Sequence, residues 1–153
     1  MSDEPRAYAL RLLAQRSYPV MGLRRKLIAK EFSHEDTDAV IERLKASGLL
    51  NDEQFAAAYA RAKLTSSSAS PRRVRQHLAR KGISAPIAEA AVESVIREEE
   101  IDVEAALEKV ARKKAASFGD LDAHVKRRRL LGFLARRGYD LDDIRRVVAR
   151  ILR

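Results

Sequence analysis

One stretch of this chain occurs three times, and that constrains the fold more than any other feature. The third copy is Lys126-Arg127-Arg128-Arg129-Leu130-Leu131-Gly132-Phe133-Leu134-Ala135-Arg136-Arg137-Gly138-Tyr139. It reads as a helix with Leu130, Phe133 and Leu134 on one face, Gly138 as its stop and Tyr139 packing back on its end. Sliding back 56 residues from Leu134 reaches Leu78, and 51 more reaches Leu27. After each anchor come Ala29-Lys30, Arg80-Lys81 and Arg136-Arg137, then Glu31, Gly82 and Gly138, then Phe32, Ile83 and Tyr139. The apolar stripe of the following helix stays in register: Thr37, Ala88 and Ile144; Val40, Ala91 and Val147; Ile41, Val92 and Val148; Leu44, Val95 and Ile151. A gapless match over about 25 positions identifies three copies of one helix–turn–helix unit.

With a leading helix each, the copies predict an all-α chain of three tandem three-helix repeats, at 1–50, 51–98 and 99–153. No sustained period-two run predicts a strand. The first helix is expected over Asp3 to Gln15, and Ser17 is expected to cap the next, with Pro19 in its first turn and an end near Glu31. Ser33 with Asp36, and Asn51 with Gln54, are cap-like pairs. Ser70-Pro71 starts a helix to Lys81, Ser84 and Pro86 open another, and Asp102 to Ser117 forms the next. Asp140 caps the last. A unit of about 50 residues has a thin core alone, so stacked neighbours and an elongated, curved array are expected. Flexure is expected at Ser66–Ser70 and near Glu98–Asp102.

The chemistry is that of binding. Without cysteine there are no disulfides or thiolate metal sites, which fits a reducing cytoplasm. His34, His77 and His124 have no metal-ligand spacing, the glycines form no phosphate loop, and Ser66 to Ser70 lacks a nucleophile context. No catalytic residue, cofactor or metal is expected, nor a signal peptide or membrane span. The net charge of +9 points to a polyanion or an acidic protein surface. That charge recurs on the middle helices: Arg24, Arg25, Lys30; Arg72, Arg73, Arg75, Arg80, Lys81; and Arg127, Arg128, Arg136, Arg137. Stacking is expected to align these twelve into a stripe suited to phosphates or an acidic groove. The alternative is a solvated Arg-rich face, with Lys26, Arg129 and Arg137 lying along the core edge.

Three stretches resemble the RecX family of recombination regulators. They are Gly48-Leu49-Leu50-Asn51-Asp52-Glu53-Gln54-Phe55-Ala56, Arg75-Gln76-His77-Leu78-Ala79-Arg80-Lys81-Gly82-Ile83, and Leu130 through Tyr139. Arg16-Ser17 and Leu23–Phe32 resemble the family's first unit. The likeness runs over nearly the whole chain in the family's order. Glu31 departs from it, standing where the family pattern has Gly. Either the left-handed turn is lost there or Glu31 adopts it at a cost of about 1 kcal/mol.

The resemblance implies a non-enzymatic, monomeric modulator that binds the RecA recombinase, commonly on its nucleoprotein filament. It would limit strand exchange, ATP hydrolysis and repressor-cleavage support in DNA repair, recombination and the SOS response. A second class of function stays open: direct, sequence-nonspecific binding to single- or double-stranded DNA through helix–turn–helix-like repeats. It is the weaker reading, because the middle helices offer mostly Arg and Lys, which position more than they specify.

Overall fold

The computed structural model describes residues 3–66 and 69–153. Among them lie nine helices and no strand. The first unit holds α1 (Glu4–Gln15), α2 (Val20–Ala29) and α3 (His34–Ala46). The second holds α4 (Asp52–Ser66), α5 (Pro71–Arg80) and α6 (Ala85–Glu98). The third holds α7 (Val103–Ala116), α8 (Ala123–Arg136) and α9 (Leu141–Ile151).

Side chains bond the N–H groups that helix starts leave unpaired, most of them read as caps from the sequence and Asp102 in addition. Ser33 accepts from the Asp36 N–H at 3.0 Å, Asn51 from Gln54 at 3.0 Å, and Ser70 from Arg73 at 3.1 Å. Asp102 accepts from Ala105 at 3.0 Å and Asp140 from Asp142 at 2.9 Å. Ser84 holds the cap position of α6 without making that bond. Ser17 is not the cap of α2. Pro19 stands at the cap position, and the Val20 N–H donates to Asp52 Oδ1 at 2.8 Å. The first unit therefore takes its cap from the first residue of α4, in the second unit.

The repeated turn has the same hydrogen bonds in all three copies. The N–H groups of Phe32, Ile83 and Tyr139 donate to the carbonyls of Leu27, Leu78 and Leu134, at 3.3, 3.1 and 3.3 Å. Those of Glu31, Gly82 and Gly138 donate to Ile28, Ala79 and Ala135, at 2.9, 3.0 and 2.9 Å. This paired closure requires a left-handed residue. Gly82 and Gly138 supply it at φ +85° and +88°. Glu31 adopts it too, at φ +70°, so the turn is kept and the strain is borne.

Each unit has its own core. Leu23, Leu27, Ile41 and Leu44 are buried in the first, with Tyr8, Leu12 and Phe32 packed against them. Val74, Leu78, Val92 and Val95 are buried with Ala56 and Ala60 in the second, and Leu107, Leu130, Leu134, Ile144 and Val147 in the third. The thin sides of these cores show in the surface area. It is 9704 Å², where a compact monomer of this mass exposes about 7,800 Å². The array is extended, as stacked units require.

Ion pairs close each unit from outside. Arg61 on α4 reaches Glu98 and Glu99 at 2.8 Å each, which ties the acidic end of α6 back to its own unit. Ser67 and Ser68 of the expected flexible loop lie outside the described residues. Arg150 on α9 bridges Glu104 and Glu108 on α7, at 2.5 and 2.6 Å. Thr37 is fully buried, and its hydroxyl has no partner among the described residues.

Two stability outcomes follow from the turn and the core. Glu31→Gly relieves the left-handed strain and raises unfolding stability by about 1 kcal/mol in urea, whereas an unchanged midpoint would contradict a strained Glu31. Thr37→Val keeps the shape and removes a buried unpaired hydroxyl, so it also stabilises by about 1 kcal/mol. A loss of stability there would show that the hydroxyl is satisfied in solution.

Candidate functional site

The middle helices α2, α5 and α8 each bury one stripe and turn their cations outward. Leu23 and Leu27, Val74 and Leu78, and Leu130 and Leu134 face inward at 0 % exposure. Arg25, Lys30, Arg72, Arg80, Lys81, Arg127, Arg128 and Arg136 are exposed, and Arg24, Arg73, Arg75 and Arg137 are half-buried. Cations at the helix ends also sit favourably on the negative pole of the helix dipole.

Pairing separates these groups. Arg24 is neutralised by Asp38, and Arg75 lies 3.5 Å from Glu89. The other ten predicted residues have no carboxylate within 4.0 Å among the described residues. The arginines of α9 are the reverse: Arg145, Arg146 and Arg150 all face Asp or Glu. In the third unit internal pairing thus consumes the charge of α9 and leaves that of α8 available.

The seams between units set the ends of the middle helices against one another. At the first seam a Cβ built on Gly82 meets Met21 Cβ at 2.5 Å, so the end of α5 lies directly on the first turn of α2. At the second, a Cβ on Gly138 meets Ser70 Oγ at 3.0 Å and Arg73 Cβ at 3.3 Å. Ser70 Oγ also donates to the Arg137 carbonyl at 3.0 Å. The end of each later middle helix is therefore seated on the start of the one before. Arg80 and Lys81 consequently share a groove of about 410 Å³ with Arg25, Lys26 and Arg16. The Arg137 backbone is brought against the start of α5, while its guanidinium lies over Phe133. Arg127 and Arg128 are not at a seam. They lie eight to nine residues before Arg136, about 13 Å along α8.

Aromatic rings support several of the cations. Lys30 lies over Tyr8 at 5.6 Å, Lys81 over Tyr59 at 5.5 Å and Arg137 over Phe133 at 5.3 Å. Arg137 thus follows the core edge as the snorkelling alternative expects, whereas Lys26 and Arg129 are exposed. The middle-helix pattern missed the lysines of α7. Lys109, Lys113 and Lys114 border a hollow of about 580 Å³ together with Phe133 and Arg137. Their spacing was a signal: Lys109 and Lys113 are four apart, hence on one helical face, while Glu104 and Glu108 occupy the face that meets α9.

His77 reports the local field. Burial first, and then Arg80, Arg73, Lys63 and Lys81, push it below the ordinary imidazole value. Its Nδ1 lies 3.3 Å from the Tyr59 hydroxyl.

Three stacked units of three helices each define an all-α helical-repeat protein. Among the described residues no group of His, Asp and Glu is placed to hold a metal, and no helix is long and apolar enough to cross a membrane. Three family models match the chain: the first three-helix domain of RecX over residues 6–44, the second over 51–92 and the third over 101–148. The chain belongs to the RecX family of regulatory proteins. It is 36% identical over 128 residues to the regulatory protein RecX of Amycolatopsis mediterranei, spanning 84% of this chain and 71% of that one. With the regulatory protein RecX of Trichlorobacter lovleyi it shares 35% over 142 residues, 91% of this chain and 90% of the other. The crystal structure of RecX from Lactobacillus salivarius has the same fold, with a TM-score of 0.85 over 97% of this chain and 95% of that one at 21% identity.

Removing one of the cations around His77 must move its titration. Arg80→Glu replaces a repelling charge with an attracting one, so the His77 pKa rises when followed by NMR. No movement would mean that the Arg80 charge does not reach the ring.

Proposed function

We propose that this chain is a non-enzymatic regulator that binds the RecA recombinase on its DNA filament, as a monomer in the cytoplasm. By occupying the filament it inhibits strand exchange, ATP hydrolysis and repressor cleavage, and so restrains recombination and the SOS response. The observation that carries this reading is the stripe. Among the described residues ten of the twelve predicted cations lack an internal carboxylate, and Arg25, Arg80 and Lys81 border one groove at the first seam of an extended array. Such a surface matches a long anionic track better than a compact ligand. Membership of the RecX family supports RecA as the partner.

Direct, sequence-nonspecific DNA binding through the helix–turn–helix-like repeats has less support. In a helix–turn–helix the helix after the turn enters the groove. In the third unit that helix is α9, whose arginines are already held by Asp142, Asp143, Glu104 and Glu108.

Charge reversal of Arg127, Arg128 and Arg136 tests the stripe. All three are exposed, so the fold should change by under about 0.5 kcal/mol per site. Binding to the RecA–DNA filament should weaken. If the stripe meets phosphate, the salt dependence should flatten by about 0.9 log units per lost contact on duplex and about 0.7 on single strands. If it meets an acidic protein groove, filament affinity falls while binding to naked DNA hardly changes. A folded triple variant that binds filament and DNA like the parent shows that the stripe is only a solvated face.

A further inference from the structure

The basic stripe leaves one concave surface of the molecule unused. Between the first and second units lies a hollow of about 540 Å³, bordered by Tyr18, Leu49, Gln54, Phe55, Ala58 and Tyr59. Over a third of the chain is charged, at 35 %, yet no charged residue lines this hollow among the described residues. Its volume lies in the range of sites that enclose one or two large side chains.

Leu49 is the most exposed large apolar residue described, at 56 %. It stands two positions before the capping Asn51. Its neighbours have structural work: Leu50 is buried at 2 %, Asp52 caps α2, and Ala56 is in the core. No such role accounts for Leu49.

The rim states the chemistry of what would fit. The Arg16 guanidinium lies 4.5 Å from the Tyr18 ring on one side. The Lys63 and Lys81 ammonium groups lie 5.6 and 5.5 Å from the Tyr59 ring on the other. Tyr18 also lines the groove that holds Arg25, Lys26 and Arg80, so the hollow is continuous with the stripe. An apolar floor between cations complements an apolar side chain between carboxylates.

We propose that the hollow between the first two units is the anchor site for a partner protein segment with a large apolar residue flanked by Asp or Glu. Leu49, Phe55 and Tyr59 receive the apolar side chain, and Arg16, Lys63 and Lys81 face its acidic neighbours. The inference deepens the protein-docking reading above and rests on it. A nucleic-acid strand is the disfavoured occupant, because Phe55 and Tyr59 are stacked on each other at 6.2 Å and 15° rather than splayed to accept bases.

The test uses the full chain and a fluorescent acidic dodecapeptide with a central leucine–phenylalanine pair. Binding is expected, and replacing that pair with alanines should weaken it about tenfold or more. Leu49→Glu places a charge at an exposed position, so the fold should persist by circular dichroism while peptide binding is lost. Leu49→Met keeps the apolar contact and should retain binding. Equal affinity for the dialanine peptide, or undiminished binding by Leu49→Glu, overturns the proposal. So does binding of oligothymidine, but not peptide, that depends on Leu49. RecA filament binding, followed in parallel, separates the two readings. If Leu49→Glu binds filament normally while the Arg127, Arg128 and Arg136 reversal does not, the hollow falls and the stripe stands. If the parent chain does not bind filament yet binds the peptide through Leu49, RecA as the partner falls and the hollow stands.

Discussion

The left-handed turn after each middle helix is the contact on which the rest depends. Two backbone bonds close it, from Phe32, Ile83 and Tyr139 and from the residues before them. Closure directs those three side chains back onto the helix end and starts the next helix at a fixed angle. The anchors Leu27, Leu78 and Leu134 are thereby covered, at 0 % exposure each. The cations just before the turn remain outside, because the helix face that would bury them is already spent on packing. In the second and third units the same turn does a further job. Its glycine lies so close to the preceding unit that a Cβ would collide with Met21 or press on Ser70. In the first unit the turn carries Glu31 instead, at φ +70°.

Features of the fold that depend on near neighbours in sequence were legible. Caps such as Ser33, Ser70 and Asp140 sit within three residues of the N–H they bind, so their spacing announces them. The register of the apolar stripes foretold the buried faces for the same reason. The Asp52 cap on Val20 spans 32 residues, and no local pattern encodes it. Ser17 looked right by position, but the backbone there leaves the α2 cap position to Pro19.

The candidate surface was legible as a charge pattern and illegible as a set of pairings. Arg24 and Arg25 are equal in sequence, yet one meets Asp38 and the other meets no acid. Which of two adjacent arginines is free depends on where α3 brings its carboxylates. The lysines of α7 were passed over because the acids on that helix were counted together with them. In space they divide, with Glu104 and Glu108 toward α9 and Lys113 and Lys114 toward α8. A net count per helix hides what a face-by-face reading shows.

The long-range cap at Asp52 has a consequence for how the molecule is made. Synthesis runs from the N-terminus, and residues of α1 to α3 leave the ribosome before the carboxylate that completes α2 exists outside it. Until Asp52 emerges, the Val20 N–H has only water. The hydroxyl of Ser70 likewise waits through 67 further residues for the carbonyl of Arg137. The first and second units are thus each completed by chain that is synthesised after them.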